Sequence, residues 1–589
     1  MRRTLAAFTL IVALYGCAAM PTPLEPRADA QLRAIYDAEW LWRKSLGPSE
    51  DVDPDEESEA GLTTWPRIDP ASQAERLAYW TDVITKLDRL DAKALSTDAA
   101  MNLAIFRQQI EVRLARIQFR EYEKPVTADT MFWSTVANSV PKAFKDERDA
   151  RAYVARLNDL PGYFFDEIAN MRLGLARGFT PPRLTLAGRD VSISGVYENK
   201  TAEASSFYAP YKILPANLPA ATRAAIQADA KSAIESAVFP AYRRLLTFFR
   251  DDYLPKTRSA LAATSLPDGQ AYYRSLIREF ATIDLTPDQI HQIGLDEMAK
   301  IRARMDGVIK ETGFTGDFSA FLAYLRSDPQ FYAKTPDELL MRASWIAKKF
   351  DGKASIWFGR LPRARFTIIP VPETVAPFYT SARGGNGYYL VNTYKLSGRP
   401  LYALPALTLH ESAPGHAFQM PLAEEQPTVP EFRRSNYISA YGEGWALYCE
   451  VLGEEMGMYE TPYDRFGMLS YQAWRAARLV IDTGVHAKGW TRQQAIDYLA
   501  ANTALPEHEI ETEVDRYISW PGQALSYYLG EMAILEARAK AEKALGAKFD
   551  IRHFHDVVLQ LGSVPLPVLT AHIDRWIAEG GPDPYLTHK

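Results

Sequence analysis

The sequence predicts a mainly α-helical protein, one large body with a small antiparallel sheet beside a helix that carries candidate metal ligands. Apolar residues recur at helical spacing along most of the chain, and helix-start boxes punctuate its second half. Strand character is confined to 364–393, where β-branched and aromatic residues cluster. With 589 residues, 47% of them apolar, there is ample material for a large core.

The first element is a signal. Met1-Arg2-Arg3, the apolar run Leu5–Tyr15 and a small residue before a cysteine make a secretory signal over 1–16, too short to span a bilayer. Leu14 and Gly16-Cys17 resemble the lipobox of bacterial lipoproteins. That resemblance implies cleavage before Cys17, lipid attachment to it, and a place in the cell envelope. Ala18 in the next position favours the outer membrane, facing the periplasm. The plainer alternative is an ordinary secretory signal with a chance cysteine. Residues 17–27, rich in Ala and Pro, read as a tether. Cys449 is the one other cysteine, so a chain acylated at Cys17 has no internal disulfide and relies on burial. Its neighbours Tyr448 and Glu450 disfavour a thiolate.

An N-terminal helical part is expected over 28–265, beginning with Leu32, Ile35, Tyr36 and Trp40 on one helical face. After an acidic loop, Ser49–Glu59, helices are expected near 71–121, 143–177 and 220–250, with the polar connection 178–219 covering part of a cleft. A second helical part, 266–589, packs with the first as one body. Thr286-Pro-Asp-Gln289, Thr335-Pro-Asp-Glu338 and Thr491-Arg-Gln-Gln494 each place Thr at the N-cap with Gln or Glu three residues on. The expected strands are Arg365–Val371 and Gly387–Asn392, with Arg383-Gly-Gly-Asn386 as the turn. That glycine-rich stretch lacks the Lys-Ser/Thr and following helix of a phosphate loop. No second apolar run approaches spanning length, and a net charge of −6 with both signs interspersed argues against nucleic acid.

The chemistry centres on His410-Glu-Ser-Ala-Pro-Gly-His416. In H-E-x-x-H, two histidines four apart grip zinc from one helical face and the adjacent Glu acts as general base. Here the histidines are six apart, which on an unbroken helix is about 600° of rotation, so the rings would diverge. Pro414 cannot donate to the His410 carbonyl and Gly415 tolerates unusual backbone angles, so the pair can bend the chain and return His416 to His410. A third ligand is expected from Tyr441–Glu450, where Glu443 and Glu450 are seven apart on one face. Glu443 is the preferred ligand and Glu450 the support for a ligating histidine. No histidine sits three residues after a glutamate, so the Glu-x-x-His pairs of di-iron bundles are absent.

Leu409–His416, Glu443–Tyr448, Arg478–His486, Arg516-Tyr517, Pro521–Tyr527 and Phe549–Asp556 together resemble a bacterial family catalogued as a domain of unknown function, number 885, many of whose members are predicted lipoproteins. The resemblance runs from about Leu266 to the C-terminus. The family looks like a distant relative of helical zinc peptidases of the thimet and angiotensin-converting type, which implies a zincin-like fold. Two positions depart from its pattern: Ala417 stands where members often have a second histidine, and Tyr528 where they tend to have lysine.

From this follows the expectation of a zinc-dependent hydrolase, a metallopeptidase for short peptides, with Zn²⁺ on His410, His416 and Glu443. Glu411 is expected to take a proton from the activated water and pass it to the leaving amine. His486 or Tyr527 would stabilise the oxyanion. Substrate contacts are expected from Asn386, Tyr388, Tyr389, Arg516, Tyr517 and Tyr528, with Asn386–Thr393 aligning an extended peptide. Arg475 and Arg478, three apart, are expected to pair with buried acids. The alternatives are a non-catalytic envelope lipoprotein that uses its cleft for binding or scaffolding, and a metallohydrolase of non-peptide amides or esters.

Overall fold

The computed structural model describes residues 27–46 and 62–585, apart from 129, 199, 374–375, 427–428 and 435. The signal peptide, Cys17 and the acidic loop 49–59 lie outside the described residues. The architecture is mainly helical, with one three-stranded sheet.

Helices α1 (Arg27–Ser45), α2 (Pro70–Asp88) and α3 (Thr97–Gln118) open the chain. The expected helix over 71–121 is split because Asp91 and Ser96 both bond backbone N–H groups ahead of them, which starts new turns. The long α4 (Glu147–Arg177) follows, then α5 (Ala220–Ala233) and α6 (Phe239–Phe248). π-turns over Ile234–Val238 and Phe249–Tyr253 interrupt the expected 220–250 helix. Each stands just before a proline, Pro240 and Pro255, which lacks an N–H for the regular ladder. The connection 178–219 is largely short helical turns. It sends Leu186, Ile193, Phe207 and Tyr211 into a core built on Trp133, Phe164 and Tyr242.

The second half begins with α7 (Gly269–Ala281), α8 (Pro287–Thr312), α9 (Phe318–Ser327), α10 (Pro336–Asp351) and the short α11 (Ala354–Trp357). The capping box of Thr286 and Gln289 is formed in full, and so is that of Thr491 and Gln494. Thr335 caps Glu338 N–H, but Glu338 reaches back to Lys334 N–H instead. A further box, Thr461 with Asp464, starts a helix that the sequence did not mark.

The sheet is mixed rather than antiparallel. Strands β1 (Thr367–Pro370), β2 (Ala382–Gly385) and β3 (Tyr388–Val391) lie in the order β1-β3-β2, with β1 parallel and β2 antiparallel to β3. Most of the stretch expected to be a turn is strand β2. Asn386-Gly387 alone makes the hairpin, with Gly387 at φ +81° in the second central position, where the left-handed region favours glycine.

Beyond the sheet run α12 (Leu404–Glu411), α13 (His416–Glu424), α14 (Ser439–Glu455), α15 (Pro462–Lys488), α16 (Arg492–Asn502), α17 (Glu507–Ser519), α18 (Ser526–Leu545), α19 (Ile551–Leu559) and α20 (Leu566–Ala578). Helices α1–α3 share one apolar core with α10, α12–α14 and α18–α20, where Tyr36 meets Phe432 at 5.0 Å between ring centroids. Helix α15 is the axis. Every residue from Phe466 to His486 is buried, which is the mark of a helix enclosed on all sides.

Two arginines, an aspartate and a histidine in this buried stretch must therefore find partners. Arg475 lies 3.3 Å from Glu450 and Arg478 lies 2.8 Å from Glu513. Asp482 takes the Gly522 N–H and the Tyr273 hydroxyl, and His486 uses both ring nitrogens. The expected pairing of both arginines with acids holds.

The N-terminal core offers a direct test of its own weight. Trp133 is fully buried, and its indole N–H donates to Ser192 at 2.9 Å. Trp133→Ala should cost about 3–5 kcal/mol, read as a lowered urea midpoint.

Candidate metal centre

Helix α12 stops at Glu411, and α13 starts at His416. Between them the chain turns through Ser412–Gly415, with a cis bond before Pro414. Ser412 ties back to the Thr408 carbonyl at 2.6 Å, Gly415 N–H donates to the Leu409 carbonyl at 3.0 Å, and Trp445 holds the Pro414 carbonyl at 2.8 Å. The turn folds tightly onto the helix it leaves. A Cβ at Gly415 would stand 1.8 Å from the His410 carbonyl oxygen, so no other residue fits.

This break brings the two histidines together, their ring centroids 5.0 Å apart and their planes at 86°. Glu443, from α14, completes the group. Its Oε2 lies 3.5 Å from His410 Nε2 and 3.3 Å from His416 Nε2. These three are the one cluster of its kind among the described residues, with candidate ligand atoms within 4.8 Å of one another. Ligands held at about 2.0–2.2 Å by a tetrahedral ion stand roughly 3.3–3.5 Å apart. The two edges through Glu443 have that spacing, and two imidazoles with a carboxylate are a donor set that could hold a metal ion.

Glu450, two turns along α14, is fully buried and lies 2.8 Å from His410 Nδ1. It therefore accepts a hydrogen bond from Nδ1–H and leaves Nε2 facing Glu443. Burial alone would depress the His410 pKa. Hydrogen bonds to Glu443 and Glu450, with the charges of Glu450 and Glu411, outweigh it and lift the imidazole to about 10. Burial opposes ionisation of Glu443 too, yet His416 and His410 hold its carboxyl well below the usual range.

Glu411 is half-buried at the end of α12, and its Oε2 accepts the Gly384 N–H at 2.6 Å. A side chain at Gly384 would stand 1.7 Å from the Glu411 carbonyl oxygen, so β2 lies flat against the helix end. Its outer edge is the one that meets the site.

Other expected site residues are placed elsewhere. His486 lies eleven residues beyond Arg475 on α15, about 16 Å of rise. Its Nδ1 accepts the Ala263 N–H at 3.0 Å, so Nε2 carries the proton and donates to the Tyr517 carbonyl at 2.9 Å. Burial pushes its pKa down to about 3. A neutral ring with both nitrogens engaged has no donor for an oxyanion. Tyr517 is buried, its hydroxyl held by Trp474 and Arg478. Tyr528 donates to Glu297 at 3.0 Å, and the buried Tyr389 pairs with Thr408 at 3.3 Å. None of these three presents a free hydroxyl to substrate. Asn386 is exposed at the hairpin and bonds Glu424, and Tyr388 is half-buried beside Gly385. Strand β3 is paired on both edges, so Asn386–Thr393 cannot add an extended peptide. Cys449 is buried and its thiol is pushed up, as its neighbourhood implied.

Tyr527 is buried at the start of α18. Its hydroxyl accepts from Arg516 at 3.2 Å, and the Arg478 guanidinium lies 4.2 Å from its ring centre. The residue sequence reasoning missed is Tyr437. Its side chain is 47% exposed, its ring lies against Gly442, the neighbour of Glu443, and its hydroxyl feels the charges of Glu443, Tyr527 and Glu411. Burial of the hydroxyl and the Glu443 charge raise its pKa well above the ordinary phenol value, so it is a donor. Its signal was faint: one tyrosine among 31, just ahead of the helix that carries Glu443.

A crystal structure of a candidate lipoprotein from Colwellia psychrerythraea is 26% identical, covers 94% of this chain and 100% of its own, and superposes with a TM-score of 0.83. A candidate lipoprotein of unknown function from Shewanella oneidensis, 17% identical, shares the fold over 92% of this chain and 99% of its own at a TM-score of 0.69. No curated protein matches the chain. Residues 54–573 match the family described as bacterial protein of unknown function, DUF885, and the chain belongs to that family.

Proposed function

We propose that the protein is a zinc-dependent hydrolase with a zincin-like helical fold, a peptidase for short peptides in the cell envelope. The lipid attachment at Cys17 proposed with it lies outside the described residues. The observation that carries the reading is the spacing of His410 Nε2, His416 Nε2 and Glu443 Oε2, at 3.3 and 3.5 Å through Glu443. Zinc held there would supply a Lewis acid that polarises a scissile carbonyl and acidifies water.

The chain's own groups divide the remaining work. Glu411 sits at the helix end next to His410, its Oε2 held by Gly384 N–H, and serves as the proton acceptor and later donor to the leaving amine. Tyr437, whose ring lies beside Gly442 next to Glu443, donates to the oxygen of the tetrahedral intermediate in place of His486. An extended peptide adds to the outer edge of β2, not to β3, because the Gly384 N–H already points from that edge toward the site.

Metal analysis of the purified protein should find about one zinc per chain, lost in His416→Ala. Absence of any stoichiometric transition metal in the wild type would refute the reading. Glu411→Gln should keep its zinc and lose about 10²–10⁴-fold in kcat on a peptide library.

Glu450→Gln should weaken zinc affinity about 10–100-fold with the fold intact by circular dichroism. Zinc must also displace the proton that the carboxylates hold on His410, whose pKa they lift to about 10. Titrations at falling pH should therefore show weaker zinc binding.

Tyr437→Phe should retain zinc and KM while kcat falls about 10²–10³-fold. An unchanged kcat would return the donor role to Tyr527.

A further inference from the structure

Gln419 stands one turn after His416 on α13 and has no part in the proposed reaction. Both residues are buried, His416 at 7% and Gln419 at 3% exposure. Neither His416 Nδ1 nor Gln419 Oε1 has a hydrogen-bond partner among the described residues. Buried polar atoms are seldom left in that condition, because the hydration they lose is not recovered. Here two such atoms belong to neighbouring residues, and their chemistry is complementary. An amide oxygen only accepts, while a neutral histidine that gives Nε2 to a metal carries its proton on Nδ1 and donates there.

Helix geometry favours their meeting. Residues three apart on a helix have Cβ atoms about 5–6 Å from each other. Side chains lean toward the N-terminal end, so that of Gln419 lies back over the turn that His416 opens. The glutamine side chain is long enough to close the gap by rotation about its χ angles. The carbonyls just ahead of His416 are already engaged. That of Pro414 takes the Trp445 indole N–H at 2.8 Å, and that of Gly415 takes the backbone N–H groups of Phe418 and Gln419 at 3.1 and 2.9 Å.

His410 shows what such a contact does. Glu450 accepts from its Nδ1 at 2.8 Å and leaves Nε2 facing Glu443. A partner on the far nitrogen fixes the orientation and tautomer of a ligating ring. At His410 that partner is a carboxylate, and at His416 the residue in reach is an uncharged amide. Glu443 and Glu450 already bring negative charge to the centre, and an amide supports the second ring without adding more.

We propose that Gln419 is the positioning residue for His416, its Oε1 accepting the Nδ1–H once Nε2 is given to a metal. The inference rests on the metal reading of the site. It extends the motif by one turn, from His410 through His416 to Gln419.

Zinc affinity of the full chain, measured by competition with a chelating dye, tests it. Gln419→Leu removes the acceptor at similar volume and should bind zinc about 10-fold more weakly. Gln419→Glu keeps an acceptor in the same place and should bind at least as tightly as wild type. Equal weakening in both variants would reduce Gln419 to packing and overturn the proposal, as would unchanged affinity in Gln419→Leu. A crystal structure of the zinc-loaded wild type should place His416 Nδ1 about 2.7–3.2 Å from Gln419 Oε1. A different acceptor on Nδ1 would overturn the proposal even where Gln419→Leu does not fold. Wild type that takes up no zinc would sink the metal reading and this bond together, whereas zinc binding untouched by Gln419→Leu sinks the role of Gln419 alone.

Discussion

The six-residue gap between His410 and His416 is the constraint on which the candidate centre depends. A continuous helix would aim the two imidazoles apart, and no adjustment of χ angles makes up so large a rotation. The chain instead ends one helix at Glu411 and begins another at His416. The turn between them survives because Gly415 lacks the Cβ that would collide with the His410 carbonyl. Trp445 then fixes the Pro414 carbonyl from the same helix that supplies Glu443. One helix thus both positions the bend and completes the ligand set.

The electrostatics are arranged around a single buried charge. Glu450 is fully enclosed, and an unpartnered carboxylate there would be very costly. His410 Nδ1 and Arg475 both lie on its Oε1, at 2.8 and 3.3 Å. The next buried carboxyl, Glu531, is pushed up by burial and then by the charge of Glu450. Arg475 is in turn wedged against Tyr471 and Trp474, its guanidinium 4.6 and 4.2 Å from their rings. The histidine tautomer is therefore set by a chain of contacts that reaches into α15, the most enclosed helix of the protein.

Much of this was legible in the sequence, and what was not has physical causes. The grouping of His410 with His416 and Glu443, the bend at Pro414-Gly415 and the contact of Glu450 with His410 were foreshadowed by motif spacing and by the backbone chemistry of Pro and Gly, which are local properties. The strand pairing was not local. Arg365–Val371 and Gly387–Asn392 have the right composition, but composition does not say that a third strand folds back between them in sequence to make β3 central. His486 misled for a related reason. Its place in a family-like stretch fits a catalytic residue as well as a buried one, and only the distant partners Ala263 and Tyr517 decide between them. Residues 475, 478, 482 and 486 form a stripe whose common property is burial of polarity. Tyr437 failed to stand out because its role comes from Glu443, across the start of α14.

The two histidines are not equivalent, and the asymmetry orders their importance. His410 has its tautomer fixed by Glu450 and its backbone inside a regular helix. His416 stands at the first position of α13, and its buried Nδ1 has no hydrogen-bond partner among the described residues. Its ring is oriented by packing and by Glu443 alone. A ring without that support is held less firmly, so the pull of Glu443 on both rings matters most at His416. The carboxylate is then more than a third ligand. By standing 3.3 Å from His416 and 3.5 Å from His410, it gathers a ring fixed from behind and a ring fixed only from the front, and so preorganises the site before any cation arrives.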